Sequence, residues 1–342
     1  MEKTKSILCA LLAAAFYAVS VPLSKMLLEH VGTVTMAALL YLGAGTGIGI
    51  MSLARKSRGS EKLGRKDLPY VIGMIALDIA APVLLMLGIR YGSSSHASLL
   101  GNFEIAATTL IALFIFGEAV SKRLWAAIAL ITLSSILLSF EGTDSFRFSH
   151  GSLFVLLATA CWGFENNCTR NISSKDTYEI VLLKGIFSGL GALAIAAAMR
   201  ERMPLLQHIV MALSLGFVTY GLSIFFYVKA QSALGAAKTS ACYAIAPFIG
   251  AFLSFVILHE ELTGTYLVSL VVMIAGTALV VADTLIRSHE HAHAHVIIHT
   301  HAGTTHAHTV VHSHRHDHYG REGGHGHRHA RAELERDLAD HG

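Results

Sequence analysis

The chain has 342 residues, of which 53% are hydrophobic and 14% charged, and its mean hydropathy is +0.55. Soluble domains carry about 25% charged residues, so this composition excludes an ordinary soluble domain and indicates that lipid surrounds most of the chain. A formal charge of only +3 argues against a nucleic-acid partner, and four cysteines without a CxxC pair argue against a disulfide framework or a zinc knuckle.

Apolar segments of membrane-spanning length recur from the N-terminus to residue 286. Each has roughly 20 residues, which at 1.5 Å per residue cross a hydrocarbon core of ~30 Å. Lipid offers no partners to backbone polar groups, so these segments must be helical. The sequence therefore predicts an all-α polytopic membrane protein with ten transmembrane helices, at 6–28, 33–54, 68–89, 93–116, 122–140, 151–170, 178–199, 208–229, 235–258 and 265–286.

Basic residues are distributed unevenly between the loops on the two sides. Those on the N-terminal side are rich in lysine and arginine, as in 55–67, whereas the opposite loops hold only Arg90, Arg147, Arg200 and Arg202. The positive-inside rule then places both termini of a ten-helix protein in the cytoplasm. The first apolar run is too long for a signal peptide, so we expect it to be retained in a multi-pass protein of the cytoplasmic membrane.

The two halves of the membrane part resemble each other. Residues 11–25 (LLAAAFYAVSVPLSK) and 156–170 (LLATACWGFENNCTR) share an aliphatic start, an aromatic seventh position and a basic last residue. The segments ALFIFGE (112–118) and SFVILHE (254–260) each close an apolar helix end with glutamate. Because five is odd, a repeat of five spans inserts inverted, which is a transporter architecture. The predicted parts are a first repeat (1–145), a second repeat (146–287) and a tail (288–342).

The segment GAAKTSACYAIAPFIGAFLSFVILHEEL (235–262) has a small-residue helix start, a proline within the helix and an aliphatic run ending in glutamate. With its first-half counterpart, SSSHASLLGNFEIAATTLIALFIFGE (93–118), it resembles the EamA repeat of the drug/metabolite transporter superfamily. The resemblance covers residues 6–286 and implies ten helices around a central cavity, with alternating access. It supplies no substrate, and the first half departs from it in having Ile105 where the family has proline.

Ionisable residues inside apolar spans are costly and usually functional. Asp78 and Glu104 lie near the predicted midplane, where either carboxylate can couple transport to protons or cations, or bind a substrate amine; a structural ion pair is the alternative. The other polar candidates lie in the cytoplasmic half of the sixth, seventh and ninth spans: Glu165, Asn166, Lys184 and Lys238. These four are expected either to pair as a structural clamp or to form half of an inner gate.

Aromatic and glycine residues complete the candidates within the spans. Four aromatic residues either line a substrate cavity or serve as packing: Tyr17, Trp162, Tyr220 and Tyr243. Glycines recur in the second and seventh spans, at Gly43, Gly45, Gly47, Gly49, Gly185, Gly189 and Gly191. Small residues let helix backbones approach, so we expect internal packing here, with a homodimer face as the alternative.

The tail differs from the rest of the chain and holds sixteen of the 21 histidines. It has few large apolar side chains to bury, so a disordered cytoplasmic segment is predicted. Neutral imidazole binds Zn, Ni, Co and Cu, which makes metal binding the expected role; a solvated tail and a pH sensor are the alternatives. The predicted ligands are His289, His291, His293, His295, His299, His301, His306, His308, His312, His314, His316, His318, His325, His327 and His329.

The expected function is secondary transport of a small polar or amphipathic metabolite, in the export direction. The expected partners are this substrate, the bilayer and transition-metal ions, and no cofactor is required. A divalent-metal (Ni, Co or Zn) transporter that uses the tail as metal collector or sensor is the alternative, and a metal-regulated receptor is a third. No span or loop holds a nucleophile and base at recognisable spacing, so an enzyme is not expected.

Overall fold

The structure is a computed structural model that forms two compact units, Met1–Asp283 and Thr284–Gly342, each treated separately below. The described residues are 2–54, 62–116, 120–141, 147–172, 175–234, 239, 242–285, 287–301 and 304–318. Among the residues singled out in the helical part of the chain, Glu118 and Lys238 lie outside these ranges.

The first unit is an assembly of helices. They are α1 (Glu2–Ala18), α2 (Ser20–Leu27), α3 (Thr33–Leu53), α4 (Leu68–Tyr91), α5 (Ser94–Leu100), α6 (Phe103–Phe116), α7 (Lys122–Ser139), α8 (His150–Ile172), α9 (Thr177–Ala198), α10 (Leu206–Gly216), α11 (Ser223–Leu234), α12 (Ala246–Leu258) and α13 (Gly264–Leu285). A 3₁₀ turn, Arg65–Asp67, precedes α4, and a π-helical turn, Phe217–Leu222, joins α10 to α11. Strands β1 (Phe140–Glu141) and β2 (Arg147–Phe148) pair antiparallel between α7 and α8.

The helices correspond to the ten predicted spans, since α1 with α2, α5 with α6, and α10 with α11 each form one interrupted span. Their ends differ from the predicted ones by up to five residues, apart from the predicted start of the ninth span, which lies outside the described residues. Among the described residues, eight helical segments are long and apolar enough to cross a membrane. The other two are α8, which carries charged and amide side chains, and α12, which has 13 residues. The prediction of an all-helical, multi-spanning fold is confirmed.

The fourth and ninth spans each contain a turn at corresponding places in the two repeats. Gly101 and Asn102 separate α5 from α6, and Ala244 and Ile245 form the turn before α12. Pro247 occupies the first turn of α12, where its missing N–H leaves no broken helical hydrogen bond. The first-half break forms without a proline, at Gly101 and Asn102.

The contacts between helices come in pairs that are related by exchange of the two repeats. Helix α4 packs on α8 as α11 packs on α1, and α6 packs on α8 as α12 packs on α1. Likewise α10 packs on α3 as α4 packs on α9. Each contact in these pairs becomes the other when the first and second repeats are swapped. This pattern is the two-repeat architecture that the sequence predicts.

The glycines of α3 and α9 are contact points between these helices. A Cβ atom added to Gly185 would overlap the backbone of Gly45, and one added to Gly189 would lie 2.8 Å from the backbone nitrogen of Leu42. Small residues therefore allow the two backbones to touch. The glycines act in internal packing, as expected.

Charged side chains bind helix ends at one end of the assembly, which we call the staple end. The Lys25 ammonium donates to the Ile89 carbonyl at 2.5 Å, near the C-terminus of α4. The Glu201 carboxylate accepts from the backbone N–H of Val34 at 3.1 Å and of Thr35 at 2.8 Å, at the start of α3. Each charge complements the dipole of the helix that it meets.

A third contact at the staple end joins the α12–α13 loop to α5. The Glu260 carboxylate accepts from the backbone N–H groups of Ser94 at 2.7 Å and Ser95 at 2.8 Å, and from the Ser93 hydroxyl at 2.8 Å. This glutamate is the one that closes the apolar helix end of the second half, and it satisfies donors that the first turn of a helix leaves without partners. The two repeats are thereby held together at this end.

The second unit contains strands β3 (Arg287–His301) and β4 (Thr304–His318), which pair antiparallel. Histidine stands opposite histidine at four places: His289 and His316, His291 and His314, His293 and His312, and His299 and His306. Because these positions are separated by even numbers of residues along each strand, they lie on one face of the strand pair. The composition predicts a segment without its own core, and an isolated two-stranded hairpin is at best marginally stable in water. His325, His327 and His329 lie outside the described residues.

Candidate functional site

A buried ion triad lies where the two repeats meet. The Lys184 ammonium of α9 is 3.1 Å from an Asp78 carboxylate oxygen of α4 and 3.0 Å from a Glu165 carboxylate oxygen of α8. All three residues are buried. The sequence leaves both Lys184 and Lys238 open as partners for Glu165, and the structure shows the pair with Lys184. It also adds Asp78, so the triad joins the first repeat to the second.

Hydroxyl donors complete the surroundings of the two carboxylates. The Tyr41 hydroxyl of α3 donates to Asp78 at 2.8 Å, and the Thr169 hydroxyl, one turn along α8, donates to Glu165. Buried charges are tolerated only when paired and hydrogen-bonded, and these contacts meet that condition. Sequence reasoning missed both residues, because a tyrosine and a threonine in apolar helices carry no signal of the carboxylate they face.

Glu104 lies close to the triad but has a different partner. Its carboxylate accepts from the Asn166 amide at 2.6 Å, and the same amide lies 3.4 Å from the Thr108 hydroxyl. Next to it, the Asn167 amide donates to the Thr108 carbonyl at 3.1 Å. These contacts are short because Gly163 lets α8 approach α6 at the level of Thr108. Glu104 and Asn166, predicted separately, therefore form one contact between the repeats.

Four tyrosines form a chain of ring contacts beside these acidic groups. Ring centroids are 5.2 Å apart for Tyr41 and Tyr220, 5.9 Å for Tyr17 and Tyr220, and 5.8 Å for Tyr17 and Tyr243. Tyr220 lies in the π-helical turn, a distortion that often marks functional sites. The Glu104 carboxylate lies within electrostatic range of the hydroxyls of Tyr17, Tyr220 and Tyr243.

Two other candidates within the spans, Trp162 and Lys238, add less to the description of the site. Trp162 is 7% exposed and packs in the main apolar cluster behind the tyrosines. Lys238 lies outside the described residues. The site also includes Ser20, a buried residue next to Tyr220 that sequence reasoning did not single out.

The balance of charge decides what this site can do. The described part of the cluster holds three carboxylates, those of Asp78, Glu104 and Glu165, and one amine, that of Lys184. Lys184 is engaged by two carboxylates, whereas the described contact of Glu104 is a neutral amide. The cluster can therefore accept a proton or another positive charge. In the described ranges, no group of three or more histidine, cysteine, aspartate or glutamate side chains could hold a metal ion.

Comparisons with known proteins agree with the fold and the repeat. A family model described as the EamA-like transporter family matches residues 4–140 and 149–282, one match in each half. The chain is 24% identical over 285 residues to an uncharacterized transporter of Methanothermobacter thermautotrophicus, covering 77% of this chain and 82% of that protein. A solved crystal structure matches with a TM-score of 0.61 and 15% identity, covering 80% of this chain and 95% of that one. The two matches span most of the helical unit, and the chain belongs to the EamA-like transporter family.

Proposed function

We propose that this membrane transporter is a secondary transporter that exports a small polar or amphipathic metabolite across the cytoplasmic membrane by alternating access. The observation that carries the proposal is the buried cluster formed by Asp78, Glu165, Lys184 and Glu104 at the junction of the two repeats. Ionisable groups in the interior of a membrane protein are expensive and mark transport pathways. In inverted-repeat transporters, such sites lie between the repeats, near the middle of the bilayer.

Glu104 is the coupling residue in this proposal. If Asp78 or Glu165 took up a proton, the Lys184 ammonium would keep only one of its two charged carboxylate partners in a region of low dielectric constant. Protonation of Glu104 disturbs only its contact with the Asn166 amide, which can rotate to offer its oxygen instead. A proton can thus enter and leave at Glu104 while the triad remains paired.

The staple end supports alternating access. Contacts of Lys25, Glu201 and Glu260 hold helix ends together there, which is what a closed gate at this end would require. A path from the cluster to that side requires these contacts to open. The exchange of the two repeats then supplies an equivalent closed state at the other end.

The test measures substrate-driven proton movement in proteoliposomes that contain a trapped pH-sensitive dye. Metabolites of different charge are added on either side, and the expected result is a change of lumenal pH with at least one of them. The Glu104→Gln variant should abolish this signal, because an amide cannot carry the proton. The exposed Glu261→Gln variant is the matched control and should keep it. Undiminished proton movement in Glu104→Gln would contradict the assigned role.

For the tail, we propose binding of transition-metal ions, in a role accessory to transport. The supporting observation is the β3–β4 register, which repeats histidine opposite histidine at four places. Two or more imidazoles on neighbouring positions suit Zn, Ni, Co or Cu. The alternative, transport of the metal itself, requires ligands along the helices.

Deletion of residues 288–342 separates the two roles. Equilibrium dialysis with Zn²⁺ and Ni²⁺ should show several bound ions for the full chain and none for the shortened one. Metabolite-driven proton movement should persist after the deletion if the tail is an accessory. Flux driven by Zn²⁺ or Ni²⁺ gradients and lost with the tail would favour the metal transporter instead.

A further inference from the structure

The surroundings of Glu104 point to the chemistry of the substrate, an inference that rests on the proposed transport function and specifies its ligand. We propose that Glu104, Tyr17, Tyr220 and Tyr243 form a subsite for an organic ammonium ion. The geometry combines a carboxylate without a described cationic partner, three tyrosine rings in mutual contact and buried hydroxyls with unfilled hydrogen-bonding capacity.

The uncompensated charge of Glu104 favours a cationic ligand. In the described structure the ammonium of Lys184 is within 3.1 Å of both Asp78 and Glu165, so it is already committed. Glu104 accepts from an amide and leaves its own negative charge uncompensated by a direct ion pair. An anionic substrate placed here would meet a carboxylate, whereas an ammonium group would neutralise it.

Part of the surface of Glu104, Tyr17 and Tyr243 remains uncovered by the protein, and Glu104 lies within electrostatic range of both tyrosines. Tyr220 and Tyr41, by contrast, are 3% and 2% exposed. The first three side chains are therefore the ones that a ligand would contact directly.

Hydrogen-bonding capacity remains unfilled in the described part of this site. The buried hydroxyls of Tyr220 and Ser20 lie next to each other, and neither has a further partner among the described residues. Buried polar groups with unfilled hydrogen-bonding capacity cost free energy, so a ligand that supplies the missing contact is favoured. A primary ammonium has three N–H donors and can meet the Glu104 carboxylate and both hydroxyl oxygens.

The tyrosine rings also favour a cation. Tyrosine faces attract cations through the ring quadrupole when the cation lies within about 6 Å of the centroid. Tyr17 contacts both Tyr220 and Tyr243, so three aromatic rings lie together within electrostatic range of Glu104. Carboxylate, hydroxyl and aromatic groups together favour an ammonium joined to an apolar group over a carboxylate or a neutral alcohol.

The test compares ligands that differ only in charge. The full chain in lipid nanodiscs is titrated with 2-phenylethylammonium, 3-phenylpropionate and 2-phenylethanol, with empty nanodiscs as the blank. The ammonium should raise the melting temperature saturably, and the other two should not. Equal or stronger binding of the carboxylate or the alcohol would overturn the inference without any variant being made.

Variants then assign the binding to the subsite. Glu104→Gln should weaken binding of the ammonium about tenfold or more, and Tyr220→Phe about fivefold, as the loss of charged and neutral hydrogen bonds predicts. The exposed Glu261→Gln and Tyr91→Phe variants are matched controls and should bind normally. An unchanged dissociation constant in a monodisperse Glu104→Gln protein would also overturn the subsite.

The binding measurement and the flux measurement test the two proposals independently. If ammonium binding is absent but another metabolite drives proton movement that requires Glu104, the transport proposal stands and the substrate class is wrong. If the ammonium binds through Glu104 and no metabolite drives proton movement, the subsite stands and the coupled-transport proposal is wrong.

Discussion

At the residue scale, Lys184 determines whether the interior charges are tolerated. It is the described cation that lies within 3.1 Å of both Asp78 and Glu165, and all three residues are buried. A buried ion pair adds little net stability compared with apolar residues, but removal of one partner leaves a bare charge. Replacing one member of the triad should therefore destabilise the protein strongly, whereas replacing all three charged residues together should destabilise it much less.

We predict that Lys184→Met destabilises the protein by about 3–5 kcal/mol, since two carboxylates lose their cation. The combined Lys184→Met, Asp78→Asn and Glu165→Gln variant should recover much of this loss, because no buried charge remains. Thermal or chemical unfolding in nanodiscs measures both effects. The exposed Lys122→Met variant is the control and should change stability by less than about 0.5 kcal/mol.

A triple variant no more stable than Lys184→Met would show that packing, rather than uncompensated charge, explains the loss. The distinction matters for function, because a triad held by charge can change partners during transport. A triad that serves only to fill space cannot.

At the element scale, the contact of Glu260 with α5 depends on pH. Burial raises the pKa of the Glu260 carboxyl, but hydrogen bonds from Ser95, Ser93 and Ser94 lower it by more, so the pKa lies below its ordinary value. A depressed carboxyl pKa means that the folded state binds the proton less readily than the unfolded state. The stabilisation is complete above the ordinary value of about 4.3 and is lost as pH falls through the lower, folded value.

We expect wild-type protein to lose about 1 kcal/mol more than Glu260→Gln between neutral pH and about pH 3, after allowance for the partial exposure of the carboxylate. Unfolding followed at several pH values measures the difference. Glu260→Gln keeps the shape of the side chain and removes its charge, so its stability should fall less steeply with acid. Parallel curves for the two proteins would show that the carboxylate does not contribute through this contact.

The elements also show what sequence reasoning reaches. Apolar runs and polar breaks suffice to find the spans, because the thickness of the bilayer fixes their length. They do not reveal the break at Gly101 and Asn102 or the π-helical turn at Tyr220, since both interruptions are set by packing against other helices. Where a helix is interrupted, the rotation of the residues beyond it changes, and the identity of the lining residues changes with it.

At the scale of the whole molecule, the candidate site was only partly predictable. The charged residues of the site stand out in the sequence, because an ionisable side chain inside an apolar span is energetically costly and usually functional. They are Asp78, Glu104, Glu165 and Lys184. Their pairing was not predictable, because it depends on how α4, α8 and α9 turn about their axes. Tyr41 was missed for the same reason, since its hydroxyl is significant only through the carboxylate it reaches.

The orientation of the assembly in the membrane is predicted from its loops and can be tested directly. Lysine and arginine are concentrated at the end that contains Lys66, whereas Met203 lies at the staple end, in the loop before α10; both residues are exposed. The positive-inside rule places the first end in the cytoplasm. In a background lacking Cys9, Cys161, Cys168 and Cys242, we predict that Met203→Cys reacts with a membrane-impermeant maleimide in intact spheroplasts. Lys66→Cys should react only after permeabilisation, and the reverse pattern would place the staple end and its Glu260 contact in the cytoplasm.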